Sequence, residues 1–180
     1  RTRTGGGVIA VLRGYVRVVD RCNRAIGRVV MYGIFVMMAI LLWSSISKTF
    51  FLPSLWTLEM AQFAMVAYYI LGGPYAIQMG SNVRMDLFYG SWSERRKTWV
   101  DAFTVLFLIF YLVVLLWGGW DSFVYSLQYG GERSPTAWRP YLWPIKAIMI
   151  FGIALMLLQA VSEFIKDILR LLGEDMGQKT

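Results

Sequence analysis

The feature that most limits what this chain can become is Val29 to Ser47, a run of 19 residues without a single charge. As a helix rising about 1.5 Å per residue it reaches roughly 28 Å, enough to cross the hydrocarbon layer of a bilayer. Three further apolar stretches follow, at about 55–79, 99–120 and 145–165. Composition agrees: the chain is 57% hydrophobic and 16% aromatic, with a mean hydropathy of +0.52, too apolar for an ordinary soluble domain. Only segments that satisfy their own backbone groups can cross lipid. The expected fold is therefore an all-α integral membrane protein of four transmembrane helices, with a basic N-terminal segment (1–28), a membrane domain (29–165) and a tail (166–180).

Charge placement orients that bundle. With four spans both termini share one side, and of the 18 basic residues only Lys48, Arg133, Arg139 and Lys146 fall on the other. The positive-inside rule makes the shared side cytoplasmic. The net charge of +7 thus reads as topology, and no nucleic-acid partner is expected. Trp43, Trp56, Trp117, Trp120, Trp138 and Trp143 gather toward the outer face as an aromatic belt, leaving Trp92 and Trp99 inside. Cys22 is the single cysteine and cannot form an intrachain disulfide, while the lack of histidine removes bis-histidine haem, most zinc sites and the usual near-neutral acid or base. No cofactor and no enzymatic activity are expected. The opening RTRTGGG is set aside as a processed or added end, and with no cleavable signal peptide visible the first span is expected to act as its own insertion signal.

From Val8 the pattern is that of an amphipathic lead-in helix. Arg13, Arg17, Arg21, Arg24 and Arg28 share one narrow face, opposite Val8, Val11, Tyr15, Val18, Val19, Cys22 and Ile26. This face is expected to anchor on anionic lipid headgroups, the alternative being a partner-docking helix. Ser54 or Thr57 is positioned to cap the second span, and Gly72-Gly73-Pro74 removes the donor for the Ile70 carbonyl, which predicts a kink near its inner end. Between the second and third spans lies a charged island, Gly80 to Trp99. Read as a helix over about 83–92, it aligns Met85, Phe88, Tyr89 and Trp92 on one face, with Arg84 and Ser91 on one flank and Asp86 on the other, the pattern of an interfacial helix. A short strand also fits the alternation, but a lone strand would leave its backbone groups unpaired at the bilayer surface. Ser93 is the expected cap of the third span, and Asp121 to Trp143 reads as an aromatic outer loop.

Glu59 is the acid that draws attention, because ionisable groups in spans often mark ion or substrate routes. It stands near Trp56 in the first turns of the second span, where the helix dipole and interfacial water can keep a carboxylate charged, so a structural or subunit-contact role is expected. Asp101 and Asp121 bracket the third span and Glu163 lies at the inner end of the fourth. No polar constellation marks the midplane of the kind a self-sufficient transporter needs. Gly33, Ala39, Ala64, Ala67, Gly118, Gly119, Gly152 and Ala154 offer places for close helix approach. From the residues alone the chain reads as an accessory or scaffold subunit of a membrane complex. The alternatives are a stand-alone four-span exporter using Glu59 as a proton-coupling acid, and a membrane anchor for a redox enzyme, which the missing histidines disfavour.

The order of several motifs sharpens this reading: Trp56-x-x-Glu59, then Gly80-Ser-Asn-Val-Arg-Met-Asp86-Leu, Ser93-x-Arg95-Arg96, and Ser134-Pro135 followed by Pro140-x-x-Trp143-Pro144. Over about residues 24–173 the chain resembles the small membrane subunit of the tripartite ATP-independent periplasmic (TRAP) transporters. Asn82 departs from the pattern, since many relatives carry histidine there. The resemblance implies a stable pairing with a large permease subunit that moves elevator-fashion and carries the substrate and cation sites. It also implies a periplasmic substrate-binding protein that meets the outer loops, and sodium-coupled uptake of an organic acid across a bacterial inner membrane. Glu59, Arg84 and Asp86 match the motif positions, and with Trp56, Met85, Phe88, Tyr89 and Trp92 they are expected at subunit contacts or in structural roles.

Overall fold

The computed structural model describes residues 5–52, 54–79, 94–129 and 131–171. They form five helices: α1 (Gly5–Met31), α2 (Gly33–Phe50), α3 (Thr57–Gln78), α4 (Glu94–Gln128) and α5 (Trp143–Leu171). The expected interfacial helix, with Arg84, Met85, Asp86, Phe88, Tyr89 and Trp92, and the Ser93 cap lie outside the described residues. α1 and α2 are joined by one turn at Tyr32, whose N–H bonds the Val29 carbonyl at 3.1 Å while its own carbonyl accepts from Phe35 at 3.1 Å. These are three-residue bonds, so the chain tightens there without breaking.

Three stretches are long and apolar enough to cross a membrane: Ile9–Phe50, Trp99–Gln128 and Trp143–Leu169. The expectation of four spans is met in three. α3 is a 22-residue helix that is not among them; Glu59, Gln62, Gly72, Gly73 and Pro74 interrupt its apolar run. α4 runs 35 residues, so the aromatic loop begins only at Tyr129 and not at Asp121. No glycine or proline interrupts Asp121 to Gln128, and the Tyr125 and Tyr129 rings, one turn apart with centroids 4.6 Å apart, support the added turns.

α5 is the hub, packing on α1, α3 and α4, whereas α2 touches chiefly α3. The α4–α5 seam buries Leu112, Ile153 and Ala160 under Leu108, Ile109, Leu116, Met156 and Leu157. In lipid such contacts gain packing but little from leaving solvent, because acyl chains are as apolar as leucine. Close approach and polar contacts therefore decide which helices meet. Of the small residues picked out from sequence, Gly152 does this work: a Cβ there would run into the Ile70 side chain and lie 3.2 Å from the Ile70 carbonyl carbon and oxygen. That is the carbonyl whose helical donor Pro74 removes, so α5 covers the gap in α3 with a glycine. Gly118 faces open space and Gly33 and Gly119 make ordinary contacts, while Gly27 against Tyr75 and Gly73 against Met156 are close approaches that sequence reading passed over.

Candidate functional site

Two clusters of described polar side chains stand at the two ends of α5. At its C-terminal end Gln159, Ser162, Glu163 and Lys166 stand at helical spacing on one stripe and meet Asp20 and Asn23 of α1. Lys166 Nζ lies 2.8 Å from Asp20 Oδ2 and 2.8 Å from Glu163 Oε1, so one ammonium bridges two carboxylates. Gln159 Nε2 donates to Asp20 Oδ1 at 3.0 Å and to Glu163 Oε1 at 2.9 Å. Ser162 Oγ donates to Asp20 Oδ1 at 3.3 Å. Carboxylates only accept, which fixes the Gln159 amide with its oxygen toward Asn23, whose Nδ2 donates to it at 2.7 Å. From α3, Gln78 Nε2 donates to the Asp20 carbonyl at 3.2 Å. Asn23, Gln159, Ser162 and Lys166 are all buried. The result is a three-helix polar junction that fixes the rotation of α1.

Val16, Val19, Asn23 and Gly27 face the bundle, while Val11 and Val18, placed by sequence with Val19 on the apolar side opposite the arginines, are 71% and 69% exposed, and Cys22 is exposed too. α1 thus has three faces: one toward the bundle, one apolar and open, one basic. Arg17, Arg21, Arg24 and Arg28 are exposed and Arg13 is partly covered.

At the N-terminal end, Lys146 in the first turn of α5 contacts Glu132, and its Nζ donates to Ser126 Oγ at 2.8 Å and to the Ser122 carbonyl at 3.4 Å. Ser126 Oγ in turn donates to Glu132 Oε2 at 2.7 Å. Hydrogen bonds from Lys146 first, then Ser126, hold the Glu132 carboxyl below its usual value. The loop beyond is a narrow hairpin: Leu142 N–H bonds the Glu132 carbonyl and Ser134 N–H the Pro140 carbonyl, both at 3.0 Å. Arg133 Cζ stands 4.5 Å above the Tyr141 ring. Gly131, at φ 94°, is required twice over, since a side chain there would be strained and would strike that ring. Trp138, Arg139 and Tyr141 are exposed on this hairpin.

Glu59 does not sit where interfacial water can reach it. It is 6% exposed, and its Oε2 has no hydrogen-bond partner among the described residues. The expected caps also differ: α3 begins after Trp56 without a side-chain cap, while Thr57 Oγ1, wholly buried, donates to Ser44 Oγ at 3.0 Å and pairs with Ser54 Oγ at 3.1 Å. Those hydroxyls tie α2 to α3. Trp56 is 39% exposed beside them. The junction residues on α5 were visible in sequence as a polar stripe at i, i+3, i+4 and i+7 inside an apolar span; their partners on α1 were hidden among arginines.

Among the described residues no group of His, Cys, Asp and Glu side chains is arranged to hold a metal. Both polar clusters are cross-links between helices of one chain, with ion pairs closed on themselves. The family described as Tripartite ATP-independent periplasmic transporters, DctQ component, matches residues 37–170.

The chain belongs to this family.

No curated protein and no solved structure matches it. A DctQ component is a transporter subunit and not an enzyme, so this chain is the small membrane component of a TRAP transporter, a multi-pass inner-membrane protein. TRAP systems combine such a component with a large permease and a periplasmic binding protein. The match takes in α3, α4, most of α2 and nearly all of α5, and leaves out α1. The polar junction therefore joins matched to unmatched sequence.

Proposed function

We propose that this chain is the fixed scaffold of its transporter: it holds a large elevator-type permease subunit in place while that subunit carries substrate and cation. The observation that carries this reading is the closure of the ion pairs at the two ends of α5. Lys166 is engaged by Asp20 and Glu163, and Lys146 by Glu132, which leaves these charges committed to the bundle and not to a passing solute. In this reading uptake is coupled to sodium, the solute is an organic acid delivered by the periplasmic protein, and that protein rests on the hairpin at 131–142. α3 crosses as the fourth span, since 22 residues reach about 33 Å, and both termini are cytoplasmic. The basic face of α1 anchors on lipid headgroups, and Met85, Phe88, Tyr89 and Trp92 form the covered face of the interfacial helix against the large subunit. Glu59 serves a structural or subunit contact.

The test is reconstitution. Liposomes holding this chain alone should show no sodium-driven uptake of any organic acid, and uptake should appear only when the large subunit and the binding protein are added. Uptake by the chain alone would overturn the scaffold reading.

A further inference from the structure

We propose that α1 carries a discrete binding site for an anionic phospholipid, set between its basic and its open apolar face. A groove of about 540 Å³ runs along the helix past Gly14, Arg17, Val18, Arg21, Cys22 and Ala25. Three of these residues are small, and a Cβ on Gly14 would meet nothing within 4 Å, so the space is open. Arg17 and Arg21 stand one turn apart on the basic side. Arg17 Nε donates back to the Arg13 carbonyl at 3.3 Å, which holds its guanidinium against the helix, and no acidic side chain of the described residues pairs with Arg17 or Arg21. The opposite wall is apolar through Val18, Cys22 and Ala25, continuous with the exposed Val11 and Val29.

Two guanidiniums without a carboxylate partner among the described residues, beside an apolar channel, match one chemistry: a phosphodiester joined to an acyl chain. A free phosphate would use the arginines and leave the apolar wall bare. The polar junction makes the site specific, because Asp20, Asn23 and Gln159 lock the rotation of α1 and so fix both walls relative to the membrane plane. The groove lies wholly outside the residues matched to the family. It rests on the reading of α1 as a membrane-surface helix and narrows that reading from a diffuse attraction to one place.

The assay uses the complex with its large subunit in nanodiscs of phosphatidylcholine with or without phosphatidylglycerol, scored by native mass spectrometry and by maleimide labelling of Cys22, the chain's single cysteine. The site predicts retained phosphatidylglycerol with a preference of about thirtyfold, which is what two arginines near a headgroup supply, and slowed labelling of Cys22. Arg17→Gln with Arg21→Gln should abolish both effects, and so should Gly14→Leu, which keeps every charge and fills open space. Arg24→Gln with Arg28→Gln should leave both intact. Glycerol 3-phosphate in detergent should not protect Cys22. Equal loss from the two arginine pairs, or full binding by Gly14→Leu, would overturn the site and leave diffuse anchoring standing. No change in any variant would remove the anchoring as well, and protection by glycerol 3-phosphate would replace the lipid with a soluble phosphate ester.

Discussion

Replacing Lys166 with methionine tests whether the polar junction holds α1 to the bundle. Two magnitudes compete. Neutral hydrogen bonds between membrane helices average about 0.6 kcal/mol and reach about 1.7 at most. Breaking one side of a buried ion pair costs about 3–5 kcal/mol, because the remaining charge is left uncompensated. The structure selects the second regime, for Lys166 is 5% exposed and its loss leaves two carboxylates and no cation from the described junction. Asp20 Oδ1 and Glu163 Oε1 accept from the same Gln159 nitrogen at 3.0 and 2.9 Å. They can thus be no farther apart than about 6 Å, where like charges repel by about 3 kcal/mol at an effective dielectric near 20. The carboxylate side chains keep 22% and 21% exposure, so the lower end of the range applies. At about 3 kcal/mol, amide hydrogens of α1 around Val16 to Asn23 should exchange roughly a hundredfold faster in the membrane-embedded complex. Adding Asp20→Asn should restore most of the protection by removing the repulsion. A cost of Lys166→Met below about 1 kcal/mol, or strict additivity of the two changes, would show that the junction is not an ion-pair lock.

The Lys146–Glu132 cluster should respond to pH with a definite sign. Since Glu132 is held below the usual carboxylate value by Lys146 and then Ser126, its contribution is present at neutral pH and is lost as pH falls through the lowered value. Exchange at the Leu142 amide, corrected for its intrinsic rate, should quicken there, and Glu132→Gln should erase the step. Gly152→Val should drive α5 off Ile70 and lower thermal stability of the complex by several degrees, whereas Gly118→Ala, facing open space, should leave it unchanged. Glu59→Gln should leave coupled uptake by the full system largely intact; loss of cation coupling in a normally assembled complex would return Glu59 to a transport role. Phe88→Glu and Trp92→Glu should each weaken pull-down of the large subunit at matched expression, by taking a charge into an apolar contact, while Ser91→Glu should not. Equal loss for all three would remove the face assigned to that segment.

The helices themselves were legible because apolar length is a strong signal, and the family was legible because motifs recur in order. What sequence left open was rotation. On α1 the apolar stripe opposite the arginines was legible, but not which side meets the bundle: that side is Val16, Val19, Asn23 and Gly27, while Val11, Val18 and Cys22 stay open. A membrane explains why: an apolar stripe can be stable against lipid, so hydrophobicity no longer marks the protein side. In such a bundle the polar side chains and the glycines mark it instead, as Asn23 facing Gln159 and Gly27 facing Tyr75 do. Glu59 adds a second case: its place in the first turn of α3 implied water, yet it is buried among the described residues, which no local pattern encodes.

The two clusters also bear on how the proposed scaffold could keep its shape. Lys146 and Lys166 lie roughly 20 residues apart on α5, or about 30 Å along the axis, close to the thickness of the hydrocarbon layer. Each ties the hub helix to another element near one end: Lys146 to α4 and the hairpin, Lys166 to α1. Between them α5 meets its neighbours mostly through apolar side chains and glycine, contacts that would let a helix slide or turn at small cost because lipid offers equivalent surroundings. Sliding α5 by one turn would break the ion pairs at both ends together. The apolar middle sets how closely the helices approach, and the charged ends set their register, which is what the proposed scaffold role requires.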